Sequence, residues 1–170
     1  MTTQLWVDGY NVIFADPELS ALAKENIHAA TSALIDLVAE YASLKGYTPW
    51  VFLDDKNNTE QTSEDEINGV KVIRGNFKNS ADQLIERLNF ETPKKQDIVL
   101  VTSDNLITSL VSYRTSQSRL IKSGEFRKEL LRTRTATANI MPKNIRSLPL
   151  ADQLSGAVKN LLEKLRRSSK

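Results

Sequence analysis

The chain has 170 residues, enough for one domain with its own core, and its 40% apolar and 26% charged content is that of an ordinary globular protein. No window approaches eighteen consecutive apolar residues, which excludes a transmembrane helix, and the first residues lack the basic start and apolar core of a secretory signal. The absence of cysteine excludes disulfides, thiolate zinc sites and cysteine nucleophiles, and a cytoplasmic location with no membrane partner is expected.

The first strand is predicted at residues 5–8 and stops on Asp8, with Gly9, Tyr10 and Asn11 following at once. Gly9 is expected to let the chain turn sharply out of the strand. From residue 19 to Gly46 one long helical pattern follows. Ile27, Ala30, Leu34, Leu37, Val38, Tyr41 and Leu44 recur at helical spacing, and Gly46 is the expected stop. The only histidine, His28, falls inside this pattern and reads as a solvated or partly buried helix residue. A second strand is predicted at 49–54, and the polar stretch 54–69 reads as a mobile loop. A third strand follows at 70–74. Ser80-Ala81-Asp82-Gln83 has the spacing of a capping box and opens the next helix. Further strands are expected at 97–102 and, more weakly, at 119–122. Helices are expected from Ser103–Asp104, with Ser103 as the cap, and through residues 124–132. Residues 136–149 look irregular, and a final amphipathic helix carries Leu154, Val158, Leu161 and Leu165 ahead of a basic end.

Short, near-continuous apolar strands alternating with helices predict an α/β class fold. The expected architecture is a three-layer α/β/α sandwich around a mostly parallel sheet of about five strands. Residues 1–146 would form this domain, and the helix and tail of 147–170 would pack on it. A monomer is expected.

The net charge of +2 conceals an asymmetry. Residues 1–113 carry 9 basic and 17 acidic side chains, a net of −8, whereas residues 114–170 carry 14 and 4, a net of +10. A basic surface for a polyanion beside an acidic cluster fits this split, and so does a set of solvated helix faces with a basic tail.

Asp8, Asp54 and Asp104 each follow directly on a predicted strand, and Asp82 lies in the first turn of a helix. Open parallel sheets bind ligands beyond the carboxyl ends of their strands, where strand order reverses, so these acids are candidates to share one crevice. Clustered carboxylates repel one another, and a hard cation such as Mg²⁺ or Mn²⁺ removes that cost. Each acid taken alone also has a structural reading: Asp8 as a turn-holder, Asp82 and Asp104 as complements to a helix N-terminus. Several other chemistries leave no trace. GxxxxGK[ST], GxGxxG and GxSxG are all missing.

The runs VDGYNVI and ADPEL, then EYASLKGYTPWVFLD, NSADQLIERL and IVLVTSD, resemble in order and spacing the YacP-like NYN-domain family, a branch of the PIN-like metal-dependent ribonucleases. The resemblance covers about residues 4 to 131. It implies a PIN-like fold and an endoribonuclease that uses Mg²⁺ or Mn²⁺ on RNA, with ribosome-associated mRNA a suggested target. Asp8, Asp82 and Asp104 match the family's acidic positions and would hold the metal. Asn11 matches the asparagine of DGYN and would orient a water or phosphate. Asp54, Ser103 and Asn105 are additional candidates. Arg114, Arg119, Lys122, Arg127, Lys128, Arg132 and Arg134 would guide the RNA strand, with Tyr10 either stacking on a base or, better, packing beside the first helix. A non-catalytic RNA- or ribosome-binding module on the same fold is the alternative.

Overall fold

The computed structural model describes residues 2–54, 62–76, 80–114 and 118–140. In chain order the elements are β1 (Gln4–Asp8), α1 (Gly9–Ala15), α2 (Pro17–Glu25), α3 (Ile27–Lys45), β2 (Thr48–Leu53), β3 (Ser63–Ile67) and β4 (Val70–Arg74). Then come α4 (Ala81–Glu91), β5 (Ile98–Val101), α5 (Asn105–Arg114), β6 (Ser118–Ile121), a 3-10 turn (Ser123–Glu125) and α6 (Phe126–Ile140). Residues 1–134 form one compact unit and 135–170 a second; the layers described next belong to the first.

The strands form one six-stranded sheet in the order β3-β4-β2-β1-β5-β6. All neighbours are parallel except β3, which runs antiparallel to β4. The chain builds outward from β1 to β2 and β4, then crosses back to β5 and β6. Strand order therefore reverses between β1 and β5, which opens a crevice beyond their carboxyl ends.

Alternation along the strands supplies both cores. Leu5, Val7, Val51, Leu53, Val99 and Val101 face a layer that includes Val12, Ile13, Leu19, Leu34, Val38, Phe126 and Leu130, from α1, α2, α3 and α6. Trp6, Phe52, Ile73, Ile98 and Leu100 face the opposite layer, with Leu84 and Ile85 of α4 and Ile107 and Val111 of α5. The result is the expected α/β/α sandwich.

Three expectations are corrected. The sheet has six strands, because residues 63–67 of the presumed loop form β3. That strand turns into β4 through Asn68 and Gly69, both at positive φ (52° and 74°), the conformation that a tight hairpin demands. The single helical pattern before Gly46 is two helices, because the Asn26 side chain caps α3 by accepting from the His28 and Ala29 N–H groups. The last described helix continues to Ile140, beyond the residue-132 limit expected from sequence. Gly46 does end α3 in the left-handed conformation (φ 68°). His28 is exposed, the first of the two settings expected for it. The rest of the stretch 136–149, the terminal amphipathic helix and the 146/147 boundary lie outside the described residues.

Candidate active site

The pleat carries the acids to one place. Trp6 points to the α4/α5 layer, so Asp8, two residues on, lies on the same face of β1. The same parity takes Asp54 from Phe52 and Thr102 from Leu100. Helices α4 and α5 start on this face, bringing Asp82 and Asp104.

Asp8 is buried, 7% exposed. Its Oδ1 accepts from the Asn11 backbone N–H at 3.4 Å, which caps α1, and its Oδ2 accepts from the Thr102 hydroxyl at 3.1 Å. Burial pushes the Asp8 carboxyl up to about 6; the two hydrogen bonds oppose that rise, and the negative charges of Asp82 and Asp54 add to it. Among the described residues no basic side chain pairs with Asp8. Gly9, next in sequence, is where the sheet and α1 nearly touch. A Cβ there would lie 2.5 Å from Leu53 Cδ2 and 2.9 Å from the Phe52 carbonyl oxygen. Helix α1 starts at Gly9 directly after β1, with no positive φ there, and glycine is demanded by the close approach to β2.

Asp54 Oδ1 accepts the Ala81 N–H at 2.5 Å, tying the end of β2 to the start of α4. Ser80 and Gln83 close the predicted capping box there: Gln83 Oε1 accepts from the Ser80 N–H at 3.0 Å and Ser80 Oγ from the Gln83 N–H at 3.4 Å. Asp82 follows in the first turn. Burial raises its carboxyl pKa, and the charges of Asp104 and Asp54 raise it further. Asp104, not Ser103, caps α5: its Oδ1 accepts from the Leu106 and Ile107 N–H groups at 2.7 and 3.3 Å. A depression of about 170 Å³ between the two helix starts is lined by Asp82, Glu86, Asp104, Leu106, Ile107 and Leu110. The electrostatic couplings therefore run from Asp8 to Asp82 and Asp54, and from Asp82 to Asp104.

Asn11 ties three segments together. Its Oδ1 accepts from the Ser103 N–H at 3.3 Å and from the Ser123 hydroxyl at 2.8 Å, and Ser103 Oγ accepts from the Ser123 N–H at 3.1 Å. Because a backbone N–H can only donate, these bonds fix which end of the amide is oxygen and leave the Asn11 NH₂ as a donor for a ligand. Asn105 is exposed, and its side chain makes no hydrogen bond among the described residues. Tyr10 packs partly buried against the core, its ring 6.0 Å from that of the exposed Phe14.

Sequence reasoning missed Thr102, Ser123, Glu86 and Asp16. Thr102 was within reach, since strand parity alone puts it beside Asp8. Glu86 lies one helical turn beyond Asp82. Nothing local flags Ser123, which meets Asn11 across 112 positions. Asp16 caps α2 and pairs with Arg127.

An all-oxygen set of carboxylates, a hydroxyl and an amide is the donor chemistry that Mg²⁺ or Mn²⁺ takes, and a buried Asp8 without a basic partner is relieved by such a cation. Among the described residues no three acidic side chains stand close enough together to hold an ion as they lie. Asp82 and Asp104 thus line one depression, and Asp8 is coupled to it electrostatically through Asp82, without a closed ligand shell.

The basic residues are largely engaged within the protein. Arg127 pairs with Asp16 (2.5 Å) and Glu18 (2.9 Å), Arg119 with Glu129 (2.6 Å), Lys128 with Glu125 (3.0 Å) and Arg132 with Glu129 (3.9 Å). Arg134 pairs with Glu40. Lys122 is exposed, and the Arg114 side chain lies outside the described residues.

A sandwich of PIN-like layering, with carboxylates gathered where strand order reverses, is the framework of a PIN-like nuclease domain. The chain belongs to the YacP-like NYN domain family, whose model matches residues 5–167. It is similar to the crystal structure of Rae1 (YacP) from Bacillus subtilis, at 26% identity and a TM-score of 0.67 over 99% of this chain and 97% of that one. A tryptophan-to-leucine mutant of that protein gives 22% identity and a TM-score of 0.66, covering 96% of this chain and 99% of that one. No curated protein matches. No described helix is long and apolar enough to cross a membrane.

Proposed function

We propose that this protein is a metal-dependent endoribonuclease that hydrolyses RNA phosphodiester bonds with Mg²⁺ or Mn²⁺. The observation that carries the reading is the gathering of Asp8, Asp54, Asp82 and Asp104 at the strand-order reversal, with Asp8 pushed up to about 6 by burial and by its acidic neighbours. Asp8, Asp82 and Asp104 would hold the metal. Bound there, a divalent ion would activate water and offset the charge that develops on the phosphodiester. The rest falls to this chain's own groups. Thr102 holds Asp8 in one orientation, Asn11 offers its NH₂ to a phosphate or water oxygen, and Asp54 keeps α4 seated so that Asp82 faces the crevice. The proposed setting is the cytoplasm, with ribosome-associated mRNA as the target class.

The test is cleavage of RNA with Mn²⁺ or Mg²⁺ by wild type, Asp8→Asn and Asp104→Asn. Loss of cleavage in both variants is expected, and equal cleavage by all three would sink the assignment.

One observation favours a second reading, a non-catalytic RNA- or ribosome-binding module: among the described residues no three acids stand within ligand distance of a common point. Metal titration separates the two. RNA binding without any divalent-ion binding at millimolar concentration selects the module.

A further inference from the structure

The segment where β6 meets the 3-10 turn stands apart from the rest of the basic half. Ile121 is in register with Val101, and the Thr102 N–H donates to the Ile121 carbonyl at 3.2 Å. Lys122 is therefore the strand neighbour of Thr102, the residue that holds Asp8, at about one strand spacing of ~4.8 Å. Its backbone is still extended (φ −65°, ψ 139°), so the alternation that sends Ile121 into the α1/α3 core turns Lys122 to the face that carries Asp8 and Thr102. The next residue anchors the place firmly. Ser123 is 1% exposed, bonded through its hydroxyl to Asn11 and through its N–H to Ser103.

Charge separates Lys122 from its companions. Arg119, Arg127, Lys128, Arg132 and Arg134 each pair with a carboxylate of this chain, and a cation already neutralised gains less from a phosphate. Lys122 is exposed and makes no ion pair among the described residues.

We infer that Lys122 is the residue that grips the RNA backbone beside the acidic crevice, holding a phosphate next to Asn11 and offsetting the repulsion between the strand and the carboxylates. Among the described basic residues, the strand-guiding role then rests chiefly on this one side chain, and not on the ion-paired ones. The inference builds on the RNA reading above but does not need cleavage.

The test is binding of a fluorescent single-stranded RNA oligonucleotide to the full chain in the presence of a chelator, followed by anisotropy across a salt series. Lys122→Ala should weaken binding about five- to tenfold at low salt and lower the slope of log K against log salt by about 0.7, the share of one phosphate contact on a single strand. Lys122→Arg should restore both. Lys95→Ala, an exposed lysine just before β5 and so at the opposite, N-terminal end of the strands, should stay within about twofold of wild type. Unchanged affinity and slope in Lys122→Ala would overturn the inference alone. A wild-type chain that binds no RNA would overturn it together with the RNA reading. Lys122-dependent binding without cleavage would uphold it and remove only the nuclease.

Discussion

The Thr102 hydroxyl donates to Asp8 Oδ2 at 3.1 Å while its oxygen accepts the Asp104 backbone N–H at 3.0 Å, so one buried side chain couples two of the candidate acids. The hydrogen bond favours the ionised form of Asp8, against its burial. Thr102→Val keeps the shape and removes the donor. The Asp8 carboxyl should then titrate higher still, and divalent binding near pH 6 should weaken. Carboxyl-resolved NMR titration with isothermal calorimetry checks both, and an unmoved Asp8 titration would contradict the coupling.

The sign of the pH dependence follows from Asp8. Its folded pKa of about 6 lies above the unfolded value of 3.8, so between these pH values the folded protein binds more protons than the unfolded chain. Without divalent ions, stability should fall as pH rises from about 4 to about 6 and level off above, by roughly 3 kcal/mol from this group. Asp8→Asn should flatten that trend and make the metal-free protein more stable at pH 7. Denaturant melts across pH, with and without Mg²⁺, provide the measurement.

Gly9 is fixed by sterics. Its missing Cβ would lie 2.5 Å from Leu53 Cδ2 and 2.9 Å from the Phe52 carbonyl oxygen, and the backbone oxygen has little room to move. Gly9→Ala should cost about 2–4 kcal/mol through displacement of α1 from β2. A chemical-denaturation midpoint equal to wild type would refute the packing argument.

Asp16 and Arg127 form a pair in which burial matters more than charge count. Burial raises the Asp16 carboxyl pKa, but the hydrogen bonds and charge of Arg127 and the α2 N–H groups outweigh it and hold the pKa below the ordinary value. Arg127→Ala leaves a carboxylate only 5% exposed without its partner, and should cost about 3 kcal/mol. The double variant Asp16→Asn/Arg127→Ala should recover part of that loss. Because Arg127 is engaged here, its removal should alter RNA affinity little once unfolding is taken into account.

The parallel strands were readable because burial on both faces leaves near-continuous apolar runs, and Asp8 and Asp104 were readable because such runs end abruptly on an acid. The break at Asn26 was not, since the apolar period passes across it and only the cap bonds divide the helix. Strand β3 was hidden because Ser63–Ile67 has no apolar alternation; it is held by backbone pairing to β4. The Asn68-Gly69 pair was the available signal, a dipeptide suited to a hairpin with two positive φ angles. The Asn11–Ser123 bond joins residues whose proximity only the completed crossover creates, so no local pattern announces it.

Strand β3 also limits how this protein meets others. Among the described residues it is an edge of the sheet, and its Glu64, Asp65 and Glu66 are consecutive and exposed, with Glu64 paired to Lys71 and Asp65 to Arg74 of β4. An open edge is a template for the strand of another molecule, and charged side chains along it disfavour such pairing. The least conspicuous strand in the sequence thus helps to keep the sheet finite.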